Sequence, residues 1–144
     1  MNPLLLRLAF LLAFAVVVPV RAAEGAKPMP RSFVPVALVN PRAIAVDRTG
    51  NRFVVELDSS TVRRIAPNGT DTTLATENIK SPFAVAVDPA GNVFISDADN
   101  NTLYKISAAG RATALLANVP APGFNILTSL AVDAAGNVFV TDNN

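Results

Sequence analysis

Apolar positions along the chain follow two patterns. Residues 8–18 form one unbroken apolar run, whereas beyond Phe33 the apolar residues come in short clusters cut every few positions by Gly, Pro, Asp or Asn. No segment there sustains the three-to-four spacing of an amphipathic helix. Short runs rich in Val, Ile, Phe and Leu between turn residues predict strands instead. In the clearest stretch the strands are predicted at 84–87, 93–96, 103–107 and 112–116.

The pattern repeats. Ala-Val-Asp-x-x-Gly-Asn stands at 45–51, 86–92 and 131–137, so that Asp88 follows Asp47 by 41 positions and Asp133 follows Asp88 by 45. Residues 41–76 lie over 82–117 without a gap, matching Pro41 with Pro82, Phe53 with Phe94, Asp58 with Asp99, Ile65 with Ile106 and Gly69 with Gly110. A third copy starts near Leu127 and runs to Asn144. The Pro-rich connection 118–126 accounts for the longer second spacing.

Four antiparallel strands in about 40 residues, repeated, are the pattern of a propeller blade. The expected fold is all-β: a β-propeller of four-stranded antiparallel blades, incomplete at about two and a half blades. The blades are expected at 41–76 and 82–117, with a partial one at 127–144. Residues 33–39 precede Pro41 as 72–74 precede Pro82, and are expected as an outermost strand that joins the last blade of a closed ring and removes a sheet edge.

The recurring phrase itself reads as a hairpin turn. Asp47, Asp88 and Asp133 stand where a carboxylate accepts the N–H groups of its own turn, and Gly50, Gly91 and Gly136 where a positive φ is needed. Chemistry seldom recurs in every unit, whereas turn geometry must.

The phrase, followed by Val93-Phe94-Ile95-Ser96-Asp97 and then Leu103-Tyr104-Lys105-Ile106, resembles the NHL repeat family. The resemblance covers residues 41–144 and departs at Arg52, where the other copies have Val93 and Val138, and at Glu56, where they have Asp97 and Asp142. It implies a propeller of typically six blades. It also implies one of several roles: a binding platform, an extracellular sensor domain or, in related propellers, a lyase or lactonase. At this period six blades need about 240 residues, so the chain reads as an N-terminal piece of a longer protein.

The N-terminus changes the picture of location. Residues 1–22 carry Arg7, the apolar run, Pro19 and a small-residue stretch ending near Ala22, the pattern of a secretory signal helix followed by cleavage. The run is short for a permanent span, so no stable membrane span is expected after cleavage. Residues 23–32 read as a linker. A secreted or periplasmic protein is expected.

Loss of Arg7 and Arg21 turns the formal +1 into −1. No basic patch is evident, and a nucleic-acid partner is disfavoured. Histidine and cysteine are both absent, which excludes zinc sites and serine–histidine or cysteine–histidine nucleophile pairs within this sequence. No catalytic residue, metal site or cofactor is expected.

Candidate ligand-face residues come from loops. Glu56, Asp58, Asp97, Asp99, Asn100 and Asp142 fall between second and third strands, on the face where propellers usually bind ligands. Their carboxylates suit a cation or polar ligand, and equally suit holding the loop by accepting backbone N–H bonds. Arg42 and Phe83, just ahead of the innermost strands, reach toward the same face. The expected function is a non-enzymatic binding scaffold for a protein or small polar ligand. The alternatives are a propeller lyase or lactonase with its catalytic residues elsewhere, and a sensor ectodomain. Open blade edges also allow self-association.

Overall fold

The computed structural model describes residues 36–74, 77–117 and 127–143. The expected signal helix (1–22) and linker (23–32) lie outside those residues. The strands are β1 (Pro41–Val46), β2 (Arg52–Glu56), β3 (Thr61–Ile65), β4 (Asp71–Thr73), β5 (Pro82–Val87), β6 (Val93–Asp97), β7 (Thr102–Ile106), β8 (Ala112–Leu116), β9 (Leu127–Val132) and β10 (Val138–Asp142). Among the described residues there is no helix.

Three antiparallel sheets form, in the orders β1-β2-β3-β4, β5-β6-β7-β8 and β9-β10. They are consecutive blades, with β5 lying against both β1 and β9. The first hairpin of each blade closes on its Asp-x-x-Gly-Asn phrase. In blade two Gly91 N–H donates to the Asp88 carbonyl at 3.0 Å, and Asp88 N–H to the Asn92 carbonyl at 3.0 Å. Gly91 sits at φ 83°, so the connection is a type I turn followed by a left-handed residue, a geometry open to glycine without steric cost.

Strand alternation decides which side chains meet. On blade one, Ala43, Ala45, Phe53, Val55 and Val62 face blade two, where Val85, Val93, Ile95, Tyr104 and Ile106 receive them. The opposite face of blade two offers Phe94 and Leu103 to Leu127, Leu130, Val132, Val138 and Val140 of blade three. The core is thus two apolar layers between blades.

One repeat position has two environments, and one stretch expected as a strand takes another form. Phe53, Phe94 and Phe139 share one repeat position, yet Phe53 and Phe94 are 4% and 3% exposed while Phe139 is 57% exposed. Each points toward the following blade, and among the described residues nothing follows β10. The expected outer strand at 33–39 is described only from residue 36, and residues 36–39 form no strand. Asn40 takes a left-handed φ of 45°. The backbone before it is captured by side chains: Val39 N–H donates to Glu56 Oε1 at 2.7 Å, and Arg63 donates to the Ala37 carbonyl at 2.6 Å. Val36 and Leu38 then pack on Val54 and Ile65 as a strap across the outer part of blade one.

Candidate functional site

Each recurring aspartate holds its own turn. Asp88 Oδ1 accepts from Ala90 N–H (2.9 Å) and Asn92 N–H (2.8 Å), and its Oδ2 accepts from Asn92 Nδ2 (2.6 Å). Asp47 repeats this with Thr49 and Asn51, and Asp133 with Ala135 and Asn137. Partial burial pushes the Asp47 and Asp88 carboxyls up, but these hydrogen bonds outweigh it and hold both below the ordinary value. At Asp133 the Asn137 side chain leads in lowering it.

The loop acids are also engaged. Asp97 is fully buried and accepts from Lys80 N–H at 2.7 Å, Ser81 N–H at 3.2 Å and Asp99 N–H at 3.0 Å. Glu56 does the same work one blade earlier, accepting from Val39 N–H, Thr61 Oγ1 (2.9 Å) and Arg63 (3.2 Å). Burial raises its carboxyl, and Val39, Thr61 and Arg63 together bring it below its ordinary value. The same guanidinium also pairs with Asp71. Lys80 stands 41 positions after Val39. These acids therefore clamp the segment entering their own blade as well as the loop they sit in. Asp142 ends β10 at the equivalent position.

The other loop candidates scatter. Asp58 accepts from Asn40 Nδ2 at 2.9 Å, and Asp99 is exposed. Asn100 turns to a separate cleft of about 620 Å³ lined by residues 77–80 and β8. There it donates to the Tyr104 hydroxyl at 3.1 Å, while that hydroxyl donates to the Asn78 carbonyl at 3.0 Å.

Arg42 and Phe83 do come together. The register of each first strand slips by one residue near its start, between Pro41 and Ala43, between Pro82 and Ala84, and between Leu127 and Ser129. The extra residues are Arg42, Phe83 and Thr128. A bulge re-aims the side chain it carries. Here all three aim into one cleft of about 640 Å³ where β1, β5 and β9 converge. The Arg42 guanidinium carbon lies 3.6 Å from the centre of the Phe83 ring, a cation–π stack that leaves the guanidinium edge open to an acceptor. Asn40 and Ser129 add polar groups, and Arg42 is the one ionised side chain in the lining. The opposite end of the three strands opens on a smaller cleft of about 230 Å³, bordered by the aspartate turns. Sequence reasoning missed Thr128. Its equivalence to Arg42 and Phe83 in the repeat was the available signal.

Among the described residues no group of three or more His, Cys, Asp or Glu side chains is placed to hold a metal ion.

No protein-family model matches the chain, and no curated protein matches it. Solved structures do. Virginiamycin B lyase from Staphylococcus aureus aligns at 16% identity with a TM-score of 0.64, over 77% of this chain and 39% of that one. A histidine-to-alanine form of the same enzyme, described as catalytically inactive and crystallised with quinupristin, aligns at 14% identity and 0.64, over 78% and 39%. A protein with a proposed gluconolactonase activity aligns at 20% identity and 0.59, over 77% and 47%. The chain spans less than half the length of each. These neighbours are β-propeller proteins, and the chain has their fold: antiparallel four-stranded sheets set as successive blades of a β-propeller.

Proposed function

We propose that the chain is an exported, NHL-type propeller module that binds a small polar anion, without chemistry of its own, at the cleft where its innermost strands converge. One observation carries this reading: three successive blades use the same bulge to send Arg42, Phe83 and Thr128 into a single cleft with one unbalanced positive charge. Stacking on Phe83 fixes the guanidinium, so a carboxylate meets an oriented fork of donors. The apolar run at residues 8–18 supports export.

Titration calorimetry with gluconate and with glucose tests the proposal. Gluconate pairs a carboxylate with hydroxyl groups, and glucose has the hydroxyls alone. Gluconate is expected to bind and glucose not, and Arg42→Gln is expected to abolish the difference. Equal responses to both sugars, or binding that survives Arg42→Gln, would overturn it.

The neighbours support a second reading, in which the chain belongs to a propeller lyase or lactonase. The S. aureus lyase is described as inactive once one histidine is replaced, and this chain has no histidine. Chemistry of that type would take its acid–base groups from sequence beyond these 144 residues.

A further inference from the structure

Blades one and two fill one repeat position differently, and the difference leaves a cleft. In blade one the entering segment, residues 36–39, is tied down by Arg63. Its guanidinium donates to the Ala37 carbonyl at 2.6 Å and to Glu56 at 3.2 Å, and reaches on to the Asp71 carboxylate at the start of β4. In blade two the matching residues, 41 positions later, are Asn78, Tyr104 and Ala112. The ladders fix the correspondence, since Ile65 pairs with Asp71 as Ile106 pairs with Ala112. Tyr104 keeps the first contact: its hydroxyl donates to the Asn78 carbonyl at 3.0 Å. It goes no further, because a phenol has one donor and no charge, and Ala112 has no acceptor in its side chain.

The space that the Arg63–Asp71 pair takes in blade one is therefore open in blade two. It forms the cleft of about 620 Å³ between residues 77–80 and Ala112, Thr113 and Ala114. Small-molecule sites commonly run to about 300–1,000 Å³. Tyr104 faces blade one, so the cleft lies at the junction of two consecutive blades and not at an end of the series. Acceptors surround it. Glu77 brings an exposed carboxylate, and Thr113 and Tyr104 bring hydroxyls. Asn100 also lines the cleft, and its Oδ1 is buried with no partner among the described residues. The Asn78 carbonyl beside the other end of that amide takes Nδ2 as its donor, which fixes the oxygen as the unmatched atom. An unmet buried acceptor is costly, and a donor that reaches it relieves the cost. Lys80 is the one cation in the lining, and it is exposed to water.

We propose that this cleft binds a small molecule through a guanidinium group, in the place that Arg63 takes in blade one. A guanidinium is a planar fork of five N–H donors and meets acceptors on several sides at once, whereas an ammonium is a compact point charge. The site takes a cation and the axial cleft an anion, so the two readings stand or fall separately.

Titration of the whole chain with butylguanidinium and with butylammonium, followed by nitrogen–proton correlation spectra, tests the proposal. The two probes share one alkyl stem and one charge. Butylguanidinium is expected to bind with a dissociation constant of about 1 mM, and butylammonium at least about fivefold more weakly. The shifts should centre on the Asn100 side-chain amide, Ile79 and Thr113. Ala112→Asp restores the acceptor that Asp71 supplies and should tighten butylguanidinium binding at least about fivefold. Tyr104→Arg combined with Ala112→Asp rebuilds the blade-one pair and should close the cleft to the probe, with the far-ultraviolet spectrum unchanged. Arg42→Gln should leave all of this as it was. Equal affinity for the two cations, shifts centred elsewhere, no tightening by Ala112→Asp, or a folded double variant that still binds would each overturn it. If the double variant does not fold, the single Ala112→Asp result decides.

Discussion

Replacing Asp97 by alanine should destabilise the protein by about 3 kcal/mol, and the figure follows from its bonds. The carboxylate is fully buried and accepts three backbone N–H groups, from Lys80, Ser81 and Asp99. A hydrogen bond to a charged group contributes about 1.5–3 kcal/mol. The gross loss is therefore roughly 5–9 kcal/mol. Lys80 and Asp99 are exposed residues, so water re-engages their N–H groups and returns about half or more of it. Asp97→Asn keeps one acceptor oxygen and should fall between the parent and alanine. Asp99→Ala removes an exposed side chain two residues away and should change stability by less than about 0.5 kcal/mol. Urea unfolding followed by circular dichroism reads all three. An Asp97→Ala protein within about 0.5 kcal/mol of the parent, with gluconate binding lost, would refute the clamp and make this carboxylate a ligand group.

Two further outcomes follow from the same structure. Phe94→Ala should cost about 3–5 kcal/mol, because the ring fills the layer against Leu103 and Leu127, whereas Phe139→Ala should cost less than about 1 kcal/mol; equal losses would mean that the two rings share one environment. Asp47, Glu56, Asp88 and Asp133 are all held below their ordinary values, so each adds stability that is present above the unfolded pKa and lost as pH falls through the folded one. Urea midpoints should therefore hold steady from neutrality to about pH 5 and drop below it. A midpoint that rose on acidification would contradict those bonds.

The turns were legible because their chemistry is local. Asp88 and Gly91 act within one hairpin, so residue type and spacing determine what they do whatever the rest of the chain is doing. Strand positions were legible for a related reason, since apolar clusters between turn residues leave few ways to pair. The clamps were half legible. Glu56 and Asp97 read as loop acids, but their partners Val39, Lys80 and Ser81 sit 16 or 17 positions upstream, beyond any local rule. Residues 36–39 form no strand and insert into a face of blade one, and apolar residues look alike in sequence whether they pair in a ladder or insert into a face.

By itself, the sequence determined the repeat, the four-stranded unit, the turn residues and the absence of histidine and cysteine chemistry. All of these depend on residue identity and short spacing. Only the tertiary structure decided that Arg42, Phe83 and Thr128 share one cleft. They are 41 and 45 positions apart, and a one-residue slip in each first strand turns them to the same place. It also decided that three equivalent phenylalanines have two fates. Burial belongs to the neighbour across the gap, and a residue's own blade cannot supply it.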